Sequence, residues 1–589
     1  MKNEAYQKLK EVDYSRVRNQ IITVLTKFAQ TKKTERGYKS EKVYMDYDVM
    51  GLACFILFLM IDTSINSFED FETSFEDIVS NALDLHDVSM RQESIGMYFE
   101  KFTRTEEVEL ITELRKLANS IEFDELVAYI LFADVADEID LSFRKTPASI
   151  CKLAEKILDI QQGDCVADFS TGEKNFVPEI YLRNREANYK FFNIAEETYN
   201  IFHYLRCALQ GISITNDIVC TMYEEEAEAL YDKVFQDYSC VIHDSKYSYP
   251  FETAGINKEW KYAYRITQLL KPKGKAVMIV SNIGTTTPKD ASARRWFVKN
   301  GYIESIIALP EKMYKGTNVA FVMLVLSKEN ENIRFIDATE KGTYYRDGAK
   351  RMMEMSDEDI AELSDAITGK NGLGRNVAIE DVLNNESIVN PIAYCTKLET
   401  EFESVELQNV IRSITRGTQL SGAEVDRLVS EEVTDYKYLR PIDIQEGIIL
   451  TSVQHLRKIE EKQKKYVANK NDLVISKNGG PFKIASIEED NVLISSNLYK
   501  IELDESKMNS VYLKGYLESE HGQAELKKAS SGGTIMMLGI DALRKIKVPQ
   551  MSIEEQNKVV EEYENLTEEI LRKQKEIEKL SIMRKTLFR

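Results

Sequence analysis

Four stretches between residues 272 and 338 decide the fold: Pro272-Lys-Gly-Lys-Ala-Val-Met-Ile-Val280, Asn300-Gly-Tyr-Ile-Glu-Ser-Ile-Ile-Ala-Leu-Pro310, Val319-Ala-Phe-Val-Met-Leu-Val-Leu-Ser-Lys328 and Phe335-Ile-Asp-Ala338. Each is a short, nearly continuous apolar run bounded by Gly, Pro or Asn, the signature of a strand buried on both faces. Working outward, the same reading places strands at Cys165–Phe169, Lys190–Ile194, Cys240–Asp244, Lys275–Ser281, Ile303–Leu309, Phe321–Leu326 and Ile333–Asp337. Helical periodicity falls between them, at Ala148–Ile160 and Trp260–Leu270. Strands alternating with helices imply a largely parallel sheet covered on both sides.

Upstream, residues 1–140 carry helical patterning, as in Glu106–Leu117 and Asp124–Ala136, with apolar positions recurring at three and four. The longest apolar run, Val49–Ile61, has 13 residues. A bilayer span needs roughly 20, so it reads as a buried core helix, and no membrane is expected. The polar N-terminus has no secretory pattern. Cys54, Cys151, Cys165, Cys207, Cys220, Cys240 and Cys395 are scattered without C-x-x-C pairs. They read as reduced thiols of a cytoplasmic protein, with no metal site. At 589 residues the chain is multidomain. Its 43% hydrophobic content suits packed cores rather than disorder.

The net charge of −20 argues against indiscriminate nucleic-acid binding, but it is unevenly spread. Residues 405–589 sum to about −1, leaving about −19 on residues 1–404. Clusters such as Lys462, Lys464, Lys465, Lys470 and Lys477 suit phosphates or a solvated loop. Residues 345–400 are polar, with turn signals at Gly369, Gly372 and Gly374. A second alternating pattern runs from near 405 to near 550. Beyond it Ser552-Ile-Glu-Glu555 forms a capping box. Val559, Tyr563, Leu566, Ile570, Ile577, Leu580 and Leu587 then follow at spacings of four and three, with Lys573 and Arg584 in the seam. About four such heptads suit a pairing helix, or an amphipathic surface helix.

The strand segments at 272–338 resemble the modification subunit of type I restriction–modification systems, a family of adenine-N6 DNA methyltransferases. The resemblance implies S-adenosylmethionine as cofactor and a Rossmann-like α/β domain over 141–343. It assigns the family's D-P-x-x-G-S-G-G-F turn to Asp168-Phe-Ser-Thr-Gly-Glu-Lys-Asn-Phe176. Asp168, Gly172 and Phe176 match, while Glu173, Lys174 and Asn175 put large side chains where bare backbone should close around the cofactor. Asn193 takes the place of the acid that holds the ribose hydroxyls. Thr146 and Pro147 keep the end of the family's F-Y-T-P segment, with Lys145 at the aromatic position. The catalytic N-P-P-[YF] is matched to Asp244-Ser-Lys-Tyr247, so Asp244 and Tyr247 carry the catalytic assignment. Both prolines that fix the amine-accepting carbonyl are absent. The pattern implies a fold kept while cofactor and catalytic motifs are degraded.

Residues 405–589 resemble one target-recognition domain and spacer helix of a type I specificity subunit. The carriers are Leu407-Gln-Asn-Val410, Arg416-Gly417, Tyr438–Ile444, Asn471–Lys477, Ser495–Tyr499, Tyr512–Tyr516, Ser519–Gln523, Ser531–Thr534, Ile546–Pro549 and Ile553–Gln556. Lys477, Asn478 and Lys483 with Gly479 and Gly480 read as a flexible basic loop, and Ser530, Ser531 and Thr534 as phosphate contacts. The organisation expected is a helical domain (1–140), the methyltransferase-like α/β domain (141–343) and a connector (344–404). An α+β recognition domain (405–551) and a coiled-coil-like helix (552–589) complete it. The preferred expectation is sequence-selective duplex DNA binding in a restriction–modification or phage-defence complex, with residues 552–589 joining a second copy or a separate modification or specificity subunit. An active adenine-N6 methyltransferase with divergent motifs, and a structural partner of another methyltransferase, stand beside it.

Overall fold

In the computed structural model the apolar runs of residues 165–378 assemble into one eight-stranded sheet. The structure describes residues 3–36, 47–62, 104–133, 145–170, 176–191, 201–212, 228–237, 248–315, 317, 319–347, 350–395, 403–445, 447–450, 452–531 and 536–586. The chain divides into two compact units, Met1–Pro391 and Ile392–Arg589.

The sheet of the first unit uses β1 (Cys165–Asp168), β2 (Asn188–Phe191), β3 (Tyr231–Gln236), β4 (Leu270–Ser281), β5 (Ile303–Ala308), β6 (Phe321–Leu326) and β7 (Asn332–Asp337). A hairpin, β8 (Thr343–Asp347) and β9 (Lys350–Glu354), stands apart, and β10 (Gly374–Ala378) returns to the sheet. The order is β2-β1-β3-β4-β6-β5-β7-β10. Pairing is parallel for β2, β1, β3 and β4. β6 runs antiparallel to both β4 and β5, and β7 lies parallel to β5. Thus β1, β3, β4, β5 and β7 direct their carboxyl ends to one rim. β6 reads Phe-Val-Met-Leu-Val-Leu and is buried at every position, as a central strand covered on both faces must be.

The expected strands appear with small shifts: Lys275–Ser281 starts earlier, at Leu270, and Lys190–Ile194 starts at Asn188, with residues 192–194 outside the described residues. The expected strand Cys240–Asp244 lies outside the described residues. On the side of β1 away from β2 the sheet holds Tyr231–Gln236, which the apolar-run criterion passed over because Asp232 and Lys233 sit within it. Their charges are met from other elements, Asp232 by Lys271 at 2.6 Å and Lys233 by Asp164 at 4.0 Å. Residues read as a connector also contribute to the sheet. β10 pairs antiparallel along the outer edge of β7. Gly374 there lies against the guanidinium of Arg334, 2.7 Å from where a Cβ would stand.

Helices Asn3–Lys10, Ser15–Arg36, Tyr47–Asp62, Arg104–Ala118 and Phe123–Phe132 belong to the same unit. The 13-residue apolar run lies in Tyr47–Asp62, whose Leu52, Ile56, Leu57 and Leu59 have no exposed surface. Each such side chain contributes on the order of 1.5–3 kcal/mol. Among the described residues no helix is long and apolar enough to cross a membrane. Buried Arg206 ties these helices to the α/β part: Nε donates to the Ile130 carbonyl and an Nη to that of Ala133, each at 2.7 Å. Those carbonyls end Phe123–Phe132 and have no partner within the helix.

The second unit holds a four-stranded antiparallel sheet, ordered Ile411–Arg416, Leu498–Leu503, Leu473–Ser476, Ile484–Ser486. A five-stranded mixed sheet built around Tyr436–Leu439 and Val492–Ile494 lies in the same unit. Ser404–Glu406 pairs with Lys547–Pro549, so the two ends of this α+β body are hydrogen-bonded together. Two glycines singled out in the sequence are steric necessities. A Cβ on Gly417 would stand 2.1 Å from the Ser495 carbonyl oxygen, and one on Gly522 would stand 2.0 Å from that of Tyr516. The final helix, Ile553–Thr586, opens on the expected capping box. The Glu555 amide donates to Ser552 Oγ at 3.3 Å and the Ser552 amide to Glu555 Oε2 at 3.0 Å. Its first turns dock through buried Gln556, which accepts from the Asn509 amide, and through Tyr563, which donates to Glu518. Farther along, Leu566, Leu580 and Met583 are all more than half exposed.

Candidate active site and nucleic-acid interface

The chain leaves β1 to form β2 on one side and later places β3 on the other, so the ends of β1 and β3 flank a topological switch point. Ligands of open parallel sheets bind in such crevices. The residues there form a hydrogen-bonded chain. At the end of β1 the Asp168 carboxylate accepts from the Ser170 amide at 2.9 Å. Ser170 Oγ in turn accepts from the Asp237 amide at 3.0 Å. The Asp237 carboxylate, one residue beyond β3, accepts from the hydroxyls of Thr146 and, at 2.8 Å, Tyr314. Asp168, Ser170, Asp237 and Thr146 are all buried. Burial, followed by the negative charges of Glu179, Asp237 and Asp168, pushes the nearby Cys151 thiol well above its ordinary range.

Asp237 was not singled out in the sequence, although Val234-Phe-Gln-Asp237 is an apolar run ending in an acid. Of the assigned residues, Thr146 and Asp168 do come together here. Pro147 sits at the N-cap of helix Ala148–Leu158. Phe176 is fully buried and stacks on Phe235 of β3, 4.1 Å between centroids and 17° between planes. Gly172, Asn193, Asp244 and Tyr247 lie outside the described residues. Lys145, at the family's aromatic position, donates its ammonium to the Phe132 carbonyl at 2.7 Å. Of the positions that hold S-adenosylmethionine in the family, residues 171–175 and Asn193 lie outside the described residues. A ring is replaced by a helix-capping cation, and the polar groups at the switch point bind one another.

The rim carries a further titratable group. Glu259 begins the helix after residue 257 and accepts from the Ser281 amide, at the end of β4, at 2.9 Å. Burial, reinforced by Asp290 and opposed by that amide bond, raises its carboxyl to about 7.

In the second unit the loop of residues 477–483 is pinned rather than free. The Lys477 carbonyl accepts from the Leu538 amide at 2.9 Å, the Gly479 amide donates to Met536 at 3.1 Å, and Phe482 exchanges two hydrogen bonds with the Gln523 side chain. Lys483 directs its ammonium to the carbonyls of Pro441 and Ile444, at 2.8 and 3.0 Å, so it closes a turn instead of presenting a cation. Ser530 is buried, and its hydroxyl donates to the Lys527 carbonyl at 2.7 Å, ending a helix. Ser531 pairs its backbone with Met537, and Thr534 lies outside the described residues. Lys462 and Lys464 meet Glu460 and Glu461, at 3.0 and 2.6 Å, which cancels much of that cluster's charge. Lys477 and Asn478 remain as partly exposed polar residues at the start of the pinned loop.

Two measurements check this description. Tyr314→Phe and Thr146→Val each remove a donor to one buried carboxylate, so their destabilisations are non-additive. A double-mutant cycle on thermal unfolding returns a coupling of about 0.5–3 kcal/mol, and strict additivity would refute the shared acceptor. Glu259 is protonated in the folded chain up to about pH 7 but ionises near 4.5 in the unfolded one. Its contribution to stability is full below about 4.5 and lost as pH rises through 7. Glu259→Gln accordingly stabilises the protein at pH 8, by up to roughly 3 kcal/mol, and the advantage narrows toward pH 5.

Comparison with known proteins agrees with both resemblances. Residues 228–403 match the family described as N-6 DNA Methylase, and residues 399–580 match the Type I restriction modification DNA specificity domain. The HindI methylase subunit of a type I restriction enzyme from Haemophilus influenzae is 20% identical over 186 residues, covering 29% of this chain and 41% of that one. The MjaVIII methylase subunit of Methanocaldococcus jannaschii is 24% identical over 178 residues, covering 29% and 30%. The chain thus spans less than half the length of these curated relatives. A solved type I methyltransferase subunit from Streptococcus thermophilus superposes with a TM-score of 0.42 at 14% identity, over 66% of this chain and 97% of that one. The chain thus joins, in one polypeptide, a region of the N-6 DNA methylase family to a type I restriction–modification DNA specificity domain.

Proposed function

We propose that this protein binds duplex DNA sequence-selectively, as a component of a cytoplasmic restriction–modification or phage-defence complex, and that its methyltransferase-like unit is impaired in methyl transfer. The observation that carries the second half is the Asp237 carboxylate, at the end of the strand beside β1, which already receives the hydroxyls of Thr146 and Tyr314. We assign the acidic position of the catalytic strand to Asp237 rather than Asp244, because β3 ends at Gln236 and faces β1. Asp237 is followed by Tyr238, Ser239 and Cys240, so no proline fixes a carbonyl for the substrate amine in this register either. Lys145, Lys174, Asn175 and Asn193 replace the groups that hold S-adenosylmethionine in the family. On the DNA side, Lys477 and Asn478 open a pinned loop, a preorganised contact in which little entropy is lost on binding.

Duplex binding by the full chain is expected to weaken steeply with salt, and Lys477→Ala to flatten the slope of log K against log salt by about 0.9. A salt-independent interaction would sink the reading. Calorimetry with S-adenosylmethionine is expected to give no heat, with or without duplex. Micromolar binding abolished by Asp168→Ala would instead favour an active adenine-N6 methyltransferase.

We further propose that the final helix pairs with a second copy or a partner subunit through Val559, Leu566, Leu580 and Met583, each at least 45% exposed. Replacing Leu566 and Leu580 with Glu should lower the mass of the assembly in solution. An unchanged mass would remove the pairing role.

A further inference from the structure

The β8–β9 hairpin projects from an acidic unit yet carries the opposite charge. Residues 341–354 hold Lys341, Arg346, Lys350 and Arg351 against Asp347 and Glu354. The register sets Arg346 directly across from Arg351. Like charges directly opposite in a strand pair are unfavourable, so folding alone gives no reason for this choice. Of the two acids in the strands, Glu354 lies at the far end, across from Thr343, and Asp347 is already engaged, since Lys315 reaches it at 2.6 Å. That hydrogen bond, aided by the charges of Arg18 and Lys350, holds the Asp347 carboxyl below the usual range. Met352 and Met353 anchor the base of the hairpin in the core, while Tyr344 and Tyr345 are 43% and 42% exposed. The Arg351 guanidinium lies 3.6 Å from the Tyr344 ring centroid, and Lys312 Nζ stands 5.8 Å from it. Arg346, Arg351, Lys312 and Tyr344 thus form one basic, aromatic patch, with Tyr345 on the other face of the strand.

Its location ties it to the switch point. β7 ends on the same rim as β1, β3 and β5, and the hairpin follows β7 directly. The loop after β5 serves both places: its Tyr314 hydroxyl reaches Asp237, and its Lys312 carbonyl accepts from the Met353 amide of the hairpin at 3.0 Å. A duplex presented to the crevice would pass its backbone over this patch.

We propose that the β8–β9 hairpin is a phosphate clamp for duplex DNA, with Arg346, Arg351 and Lys312 contacting backbone phosphates and the Tyr344 hydroxyl adding a hydrogen bond. The planar guanidinium fork suits a phosphate bidentately. Such contacts fix position on the duplex and carry no sequence information. The proposal rests on the duplex-binding reading above and adds a second contact surface, in the methylase-like unit.

The test uses the full chain, with a duplex it selects and an unrelated duplex, titrated between about 50 and 200 mM salt. The Arg346→Ala/Arg351→Ala double variant is expected to lose affinity for both duplexes by a similar factor. Its slope of log K against log salt should fall by about 1 to 2, near 0.9 for each contact removed. Arg346→Lys/Arg351→Lys keeps the charge and should keep most of the slope. Should the double alanine variant melt early, Arg346→Gln alone is read in the same way, with an expected loss of about 0.9. A slope equal to that of the parent protein, in a parent that binds steeply and weakens with Lys477→Ala, would overturn the clamp and leave the reader standing. A parent that binds no duplex at any salt would overturn both together.

Discussion

The carboxylate of Asp237 is where the first unit is tied together. Four chain segments meet at this residue: the approach to helix Ala148–Leu158 and the loop after β5 donate to its carboxylate through Thr146 and Tyr314, the turn after β1 accepts from its amide through Ser170, and the residue itself follows the end of β3. A buried charge is tolerated only when its hydrogen-bonding capacity is met, and here the fold meets it from within. The same arrangement fixes the crevice at the switch point, and through the β5 loop it fixes the base of the basic hairpin.

Much of the architecture was legible because the decisive strands are apolar on both faces. β6 was read at its observed limits, and β5 and β7 within a residue, since a strand buried on both sides leaves nothing for charge to do. β3 was missed for the converse reason. Its Asp232 and Lys233 look like surface residues until Lys271 and Asp164, from other elements, neutralise them. The acid that the fold brings beside β1, Asp237, was passed over with it. The lesson concerns compensation: partners distant in sequence turn a polar segment into a core strand, and a local window cannot see them.

The recognition unit divides in the same way. Gly417 and Gly522 were visible as motif residues, and the structure supplies the reason in two backbone approaches that leave no space for a Cβ. Lys483 and Ser530 were equally visible, the first read as part of a flexible basic loop and the second as a phosphate contact. Their actual partners are main-chain carbonyls at Pro441, Ile444 and Lys527. Composition counts a lysine as charge available to solvent, whereas folding can engage that charge in closing a turn. Such a reading overstates the electrostatic footprint of loops in which cations are structural, and it undervalues a compact hairpin such as β8–β9, where two arginines face one another across the strands.

The outermost strand also bears on how the protein is made. β7 exposes an edge of unsatisfied amides and carbonyls until β10 covers it, and β10 is translated only after the hairpin and the helix Asp357–Ile367. During that interval of synthesis the nascent sheet presents a template to which any other extended chain can add. A gene fragment ending at residue 343 would make that interval permanent, yielding a protein whose central strands are sound but whose border invites aggregation.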